Sequence, residues 1–166
     1  MIDLNEFRKK ATKDNLCAEY TKIWDGCKSK KQLMDMCLSV KGIDYVCNAI
    51  AKGWGISPIV LVKDFGRFIN GNYTAELDGY TSKLFCRFVG DIKADTTIIG
   101  LVDSVVSLEV PKNALCEVYC SGECEINLSG EGECAFVCYG DIEKTIINGT
   151  CGNFKRIDKK DRDRYD

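Results

Sequence analysis

The sequence predicts an α+β protein, a four-helix head followed by a short β-solenoid, with an antiparallel β-meander or sandwich as the alternative arrangement of the same strands. Three observations carry this. Between Cys116 and Asp141 one octad occurs three times, as CEVYCSGE, CEINLSGE and, after a Gly132-Glu133 insert, CAFVCYGD. Apolar residues recur at helical spacing as far as Asn70 and at period two beyond Tyr73. Net charge divides at the same place: +4 over residues 1–72, −8 over 73–154 and +2 over 155–166, which together give the net −2 of the chain. The expected organisation is therefore a basic helical head (1–72), an acidic β-repeat domain (73–154) and a charged, disordered tail (155–166).

The helices come first. Asp14 is placed to cap one whose apolar positions Leu16, Tyr20, Ile23 and Trp24 share a stripe, ending near Gly26. Ser29 caps a second, with Leu33, Met36, Cys37 and Val40 inward and Gly42 as its stop. A third covers Ile43 to about Lys52. The fourth starts at Ser57-Pro58, a cap followed by a proline at the first helical position, and continues through Leu61, Phe65, Phe68 and Ile69 to the break at Asn70-Gly71-Asn72.

Strands are expected at Leu84 to Val89, closed by Gly90-Asp91, then at Thr96 to Val102 and Val106 to Val110, with Pro111-Lys112-Asn113 leading into the octads. In each octad side chains alternate, so Cys116/Val118/Cys120, Cys124/Ile126/Leu128 and Cys134/Phe136/Cys138 face one way. Ser121-Gly122-Glu123 and Ser129-Gly130-Glu131 make the turns. Neither is the Asn-Gly or Asp-Gly pair of tight hairpins, and small inward cysteines suit a narrow stacked interior, so successive solenoid faces are preferred over a meander. A last strand spans Thr145 to Ile147. The octad resembles the Ala-Ser-Val-x-Ala-x-Gly-Asn repeats of β-solenoid proteins from phages and prophages of gut bacteria, over about three repeats and in side-chain pattern. That resemblance implies a solenoid, a phage or mobile-element origin and no catalytic site.

A solenoid end exposes backbone and apolar interior, so the head is expected to cap one end. The other, near Ile146 to Cys151, is left for the tail or a second copy of the chain.

Composition bounds the chemistry. A chain 45% hydrophobic with two prolines is expected to fold. MIDLNEFRKK carries acids where a signal peptide would be basic, and apolar runs such as Ile59 to Val62 are far too short to cross a bilayer, so a soluble, cytoplasmic protein is expected. Eleven cysteines could staple a secreted protein, but an odd count inside strand and helix patterns points to reduced, buried thiols. No C-x-x-C pair exists, and Cys116 and Cys120 would stand roughly 13 Å apart along one strand, so no metal or other cofactor is expected.

The chain has no histidine, which removes Ser-His and Cys-His nucleophile pairs and imidazole acid–base work. Glu117, Glu123, Glu125, Glu131, Glu133 and Asp141 recur at repeat positions as a solvated acidic ridge. A glycosidase pair needs two unlike environments, which repeats do not provide. Three function classes follow. The first is a non-enzymatic interaction or scaffold protein whose acidic β face or head meets a protein partner, with self-association at the open solenoid end. The second is a small-molecule binder, interfering with a host defence signal, at a head–body junction formed by Trp54, Phe65, Phe68, Tyr73 and Tyr80. The third is DNA binding by segment 43–69, where Ala51, Gly55 and Leu61 resemble a helix-turn-helix pattern and Lys52, Lys63 and Arg67 would meet phosphate. Nucleic acid is disfavoured, because Pro58, Ile59, Val60 and Val62 stand where base-reading side chains belong.

Overall fold

The computed structural model describes residues 3–13, 16–54, 56–70 and 81–159. Among these residues five α-helices precede nine strands: α1 (Leu4–Lys13), α2 (Ala18–Gly26), α3 (Lys30–Cys37), α4 (Val40–Ala51) and α5 (Pro58–Phe65), then β1 (Thr81–Cys86), β2 (Val89–Lys93), β3 (Thr97–Val102), β4 (Val105–Val110), β5 (Leu115–Ser121), β6 (Cys124–Gly130), β7 (Glu133–Tyr139), β8 (Thr145–Gly149) and β9 (Asn153–Lys159). Every strand pair is parallel, in two sheets ordered β1-β3-β5-β7-β9 and β2-β4-β6-β8. The chain thus alternates between sheets: one octad makes a strand and corner in the first sheet, the next does so in the second, and two octads make a coil. Thr81 lies beside Thr97, an advance of 16 residues, while Cys116 lies beside Cys134, an advance of 18 that includes the Gly132-Glu133 insert. The meander is excluded.

The interior between the sheets is the predicted one. All nine inward octad residues are at most 4% exposed, and they stack with Phe85, Ile92, Ile99, Leu101, Val106 and Leu108. The first corner repeats too. Arg87, Asp103, Gly122 and Gly140, each directly after a strand of the five-stranded sheet, all have φ between 45° and 82°. Stacked corners bond to one another, Arg87 N–H donating to Val102 O at 2.8 Å and Asp103 N–H to Ser121 O at 3.2 Å. Glycine takes this left-handed conformation without strain, whereas Arg87 and Asp103 do not. The corner after β1 therefore lies at Arg87, not at Gly90-Asp91. Gly90 sits inside β2, where a Cβ would meet the Phe88 ring at 2.9 Å.

The helices lie elsewhere than expected. Instead of capping an end, α4 crosses the outward face of the five-stranded sheet over β1, β3, β5 and β7. A Cβ on Gly100 of β3 would stand 2.8 Å from Ile43 Cγ2 and 2.6 Å from Leu84 Cδ1, so the missing side chain is what lets the helix approach. Strand β3 is buried along its whole length, one face on the solenoid interior and the other on the helices. Tyr139 donates its hydroxyl proton to Asp44 across this interface, and the Cys47 thiol donates to Tyr119 O at 3.6 Å.

Four expected helices become five because α1 stands alone, its free N–H groups met by Asp3 Oδ1 at 3.0 Å. Asp14 lies outside the described residues. Ser29 and Ser57 cap as predicted, accepting from Gln32 N–H and Val60 N–H. Gly42 does not stop a helix. The break falls at Ser39, which accepts from Gly42 N–H and starts α4, and a Cβ at Gly42 would stand 2.3 Å from Met36 O.

Each end of the five-stranded sheet has its own closure. At β1, Asn70 acts as a one-residue strand: its N–H donates to Leu84 O, its Nδ2 to Cys86 O at 2.7 Å, and its Oδ1 accepts from Cys86 N–H at 2.7 Å. At the far end the stretch expected as a disordered tail from Lys155 is strand to Lys159, paired with β7. Its register puts Phe154, Arg156 and Asp158 over Cys134, Phe136 and Cys138. The Arg156 guanidinium donates to Ile142 O and Thr145 O at 2.8 Å and to Asp158 at 2.7 Å, closing the apolar interior with charge, a device that blocks edge-to-edge pairing.

Candidate functional site

With helices on one sheet, the other sheet is open. The outward residues of β2, β4, β6 and β8 align in rows set by the register: Val89, Val105, Glu125 and Ile146; Asp91, Ser107, Asn127 and Asn148; Lys93, Glu109 and Ser129. All eleven are exposed, Val89 at 78%, Ile146 at 52% and Val105 at 42%. Neighbouring parallel strands lie about 4.8 Å apart, so each full row spans about 14 Å. Three carboxylates and one lysine give the face a charge of −2, with Lys93 Nζ 3.7 Å from Glu109. It is a flat, weakly acidic surface edged by an aliphatic row.

The recurrent acids do not form one ridge. Glu125 belongs to the open face, Glu117 and Glu133 point out of the five-stranded sheet, and Glu123, Glu131 and Asp141 lie at corners. Octads alternate between sheets, so equivalent positions in consecutive octads face opposite directions.

The residues expected at a ligand-binding junction are dispersed. Phe65 is buried and lines an apolar cavity of about 20 Å³ with Leu4, Phe7, Leu33, Met34 and Leu84, room for about one water. Trp54 packs on Tyr45, ring centroids 5.8 Å apart, under the Lys52 ammonium, while Phe68 lies beneath the Arg67 guanidinium. Tyr73 and Tyr80 fall outside the described residues. For DNA, Lys63 and Arg67 are exposed on successive turns, but Lys52 sits on Trp54. Ala51 packs on the Gly140 corner of the solenoid, a Cβ there being 3.2 Å away, and Gly55 lies outside the described residues. Helix α4, which would be the first helix of the motif, is buried from Gly42 to Ala49.

No cysteine is in a disulfide, and eight of the eleven are buried. Among the described residues no three side chains of metal-binding type converge on one point, and no helix is long and apolar enough to cross a membrane. Burial pushes the Cys86 thiol up to about 12. In the solenoid the Cys120 thiol is raised by hydrogen bonds to Cys124 and Cys138 together with burial, and those two neighbours are lowered, first of all by the Cys120 contact.

Comparison with protein-family models, curated proteins and solved structures finds no match in any of the three. The site therefore rests on its own geometry. Sequence reasoning expected an acidic β face but not which sheet stays open, because the rows are visible only once alternate octads are assigned to different sheets. The available signal was the outward set Val105, Ser107 and Glu109 beside Glu125, Asn127 and Ser129.

Proposed function

We propose that this is a non-enzymatic interaction protein whose open four-stranded face meets a protein partner. The supporting observation is the asymmetry of the two sheets: the outward face of one is covered by helices, while that of the other presents Val89, Val105 and Ile146 in one row. Across three rows two residues apart the face measures about 14 by 13 Å, far below the roughly 800 Å² per partner of a stable complex, so the contact belongs to the weak, transient class. Its charge suits a partner segment with aliphatic residues flanked by lysine or arginine. The octad pattern is the support for a phage or mobile-element setting, which the neighbouring genes test.

The experiment compares the wild-type chain with the double variant Val105→Lys/Ile146→Lys as bait in cells of the source, followed by quantitative mass spectrometry. A protein captured by wild type and lost from the double variant, with a Lys22→Glu control retaining it, is the expected result. Equal capture by all three would remove the face from consideration. Light scattering across micromolar concentrations separates a second copy of the chain from a foreign partner.

A further inference from the structure

The solenoid places thiols in pairs. Strands β5 and β7 are in register, so Cys116 lies beside Cys134 and Cys120 beside Cys138. Adjacent strands are about 4.8 Å apart, inside the range of roughly 4.4–6.8 Å between Cα atoms that a disulfide spans. The two pairs differ in what lies over them. Phe154 of β9 covers Cys134, and its ring meets Phe136 edge-on at 6.3 Å. Cys138 instead lies under Asp158, beside the guanidinium of Arg156, which is fixed by its bonds to Ile142 O and Thr145 O. The neighbouring Cys120 thiol and the arginine both favour a thiolate on Cys138, against burial and the Asp158 carboxylate, and the thiol is lowered on balance. A cation beside a thiol with a second thiol in contact is the arrangement of reactive, not inert, cysteine.

We propose that Cys138 and Cys120 are a redox pair, in which a hydroperoxide oxidises Cys138 and Cys120 then closes a disulfide between β5 and β7. In the first step the Cys138 sulfur attacks one peroxide oxygen and the O–O bond breaks. Cys138 becomes a sulfenic acid, and the other oxygen leaves as alcohol, or as water from hydrogen peroxide, with the thiol proton. In the second step the Cys120 sulfur attacks that of Cys138, the S–O bond breaks, and hydroxide departs as water with the Cys120 proton. Two thiols lose two electrons and the peroxide gains them. Both sulfurs are buried, so the oxidant enters when β9 lifts. That strand pairs on one side only among the described residues, and such edge elements open at less cost than the whole fold. The product ties the third coil to the fourth beneath the charged end of the solenoid.

The first arm of the test uses the full, reduced wild-type chain. Treat it with hydrogen peroxide under native conditions, block remaining thiols, cleave at glutamates to separate Cys120 from Cys138, and identify linked peptides by tandem mass spectrometry. The expected product is a Cys120–Cys138 link that dominates over Cys116–Cys134 among the interior disulfides. A dominant Cys120–Cys124 or Cys116–Cys134 link overturns the proposal. So does the absence of any interior link while the exposed Cys17 is oxidised. In a second arm, Cys116→Ser should leave the link intact and Cys138→Ser should abolish it.

Discussion

Replacing Asn70 tests how the first coil is closed. Its side chain accepts from Cys86 N–H and donates to Cys86 O, both at 2.7 Å, and Cys86 is 0% exposed. Asn70→Ala takes these partners from two buried backbone groups, at about 1–3 kcal/mol each. Its φ of 57° adds about 1 kcal/mol, because alanine tolerates the left-handed region less well than asparagine. The expected loss is about 3–7 kcal/mol, or a melting temperature lower by roughly 6–28 °C for a chain of this length. Urea denaturation followed by circular dichroism measures it. Asn70→Gly separates the causes: it relieves the backbone but restores neither bond, so it should recover only about 1 kcal/mol relative to alanine. An Asn70→Ala protein within about 0.5 kcal/mol of wild type, a change ordinary for an exposed site, would refute the edge-closure argument, as would an Asn70→Gly protein of full stability.

Two further perturbations probe the helix–sheet interface and the buried thiols. Gly100→Ala inserts a methyl group 2.6 Å from Leu84 Cδ1 and 2.8 Å from Ile43 Cγ2, and should destabilise the protein by about 1–3 kcal/mol in chemical denaturation as α4 is pushed off the sheet. Cys86 supplies a pH dependence. Its thiol is raised by burial from an ordinary value of 9.0 to about 12, so the folded state keeps a proton that the unfolded chain releases. Its contribution is therefore whole below pH 9 and is lost as pH rises from 9 towards 12. The denaturation midpoint measured across that window should fall less steeply in Cys86→Ala than in wild type.

The legible and hidden parts of this fold separate on physical grounds. The octads could be read because an apolar face at period two has one physical meaning when it repeats and when Gly122 and Gly140 mark the corners. The first two coils have the same corners, but Arg87 and Asp103 occupy them, so no glycine announces the left-handed residue and β1 and β2 merge into one expected strand. Strand β9 was hidden for the opposite reason. A terminal coil must carry polar groups inward, and the pairing of Arg156 with Asp158 reads as a solvated tail. The position of the helices did leave a trace. Thr97-Ile98-Ile99-Gly100-Leu101-Val102 lacks the alternation of a half-exposed strand, as expected of a strand covered on both faces. The open face left less, because its residues are unremarkable until the register aligns them.

Alternation of the octads between two sheets fixes a parity for the chain. A single added or deleted octad would send every later strand to the opposite wall, bringing carboxylates such as Glu125 under helix α4 and turning Tyr119 or Val137 out to water. The molecule can therefore lengthen or shorten only by whole coils, and duplications of half that size are closed to it.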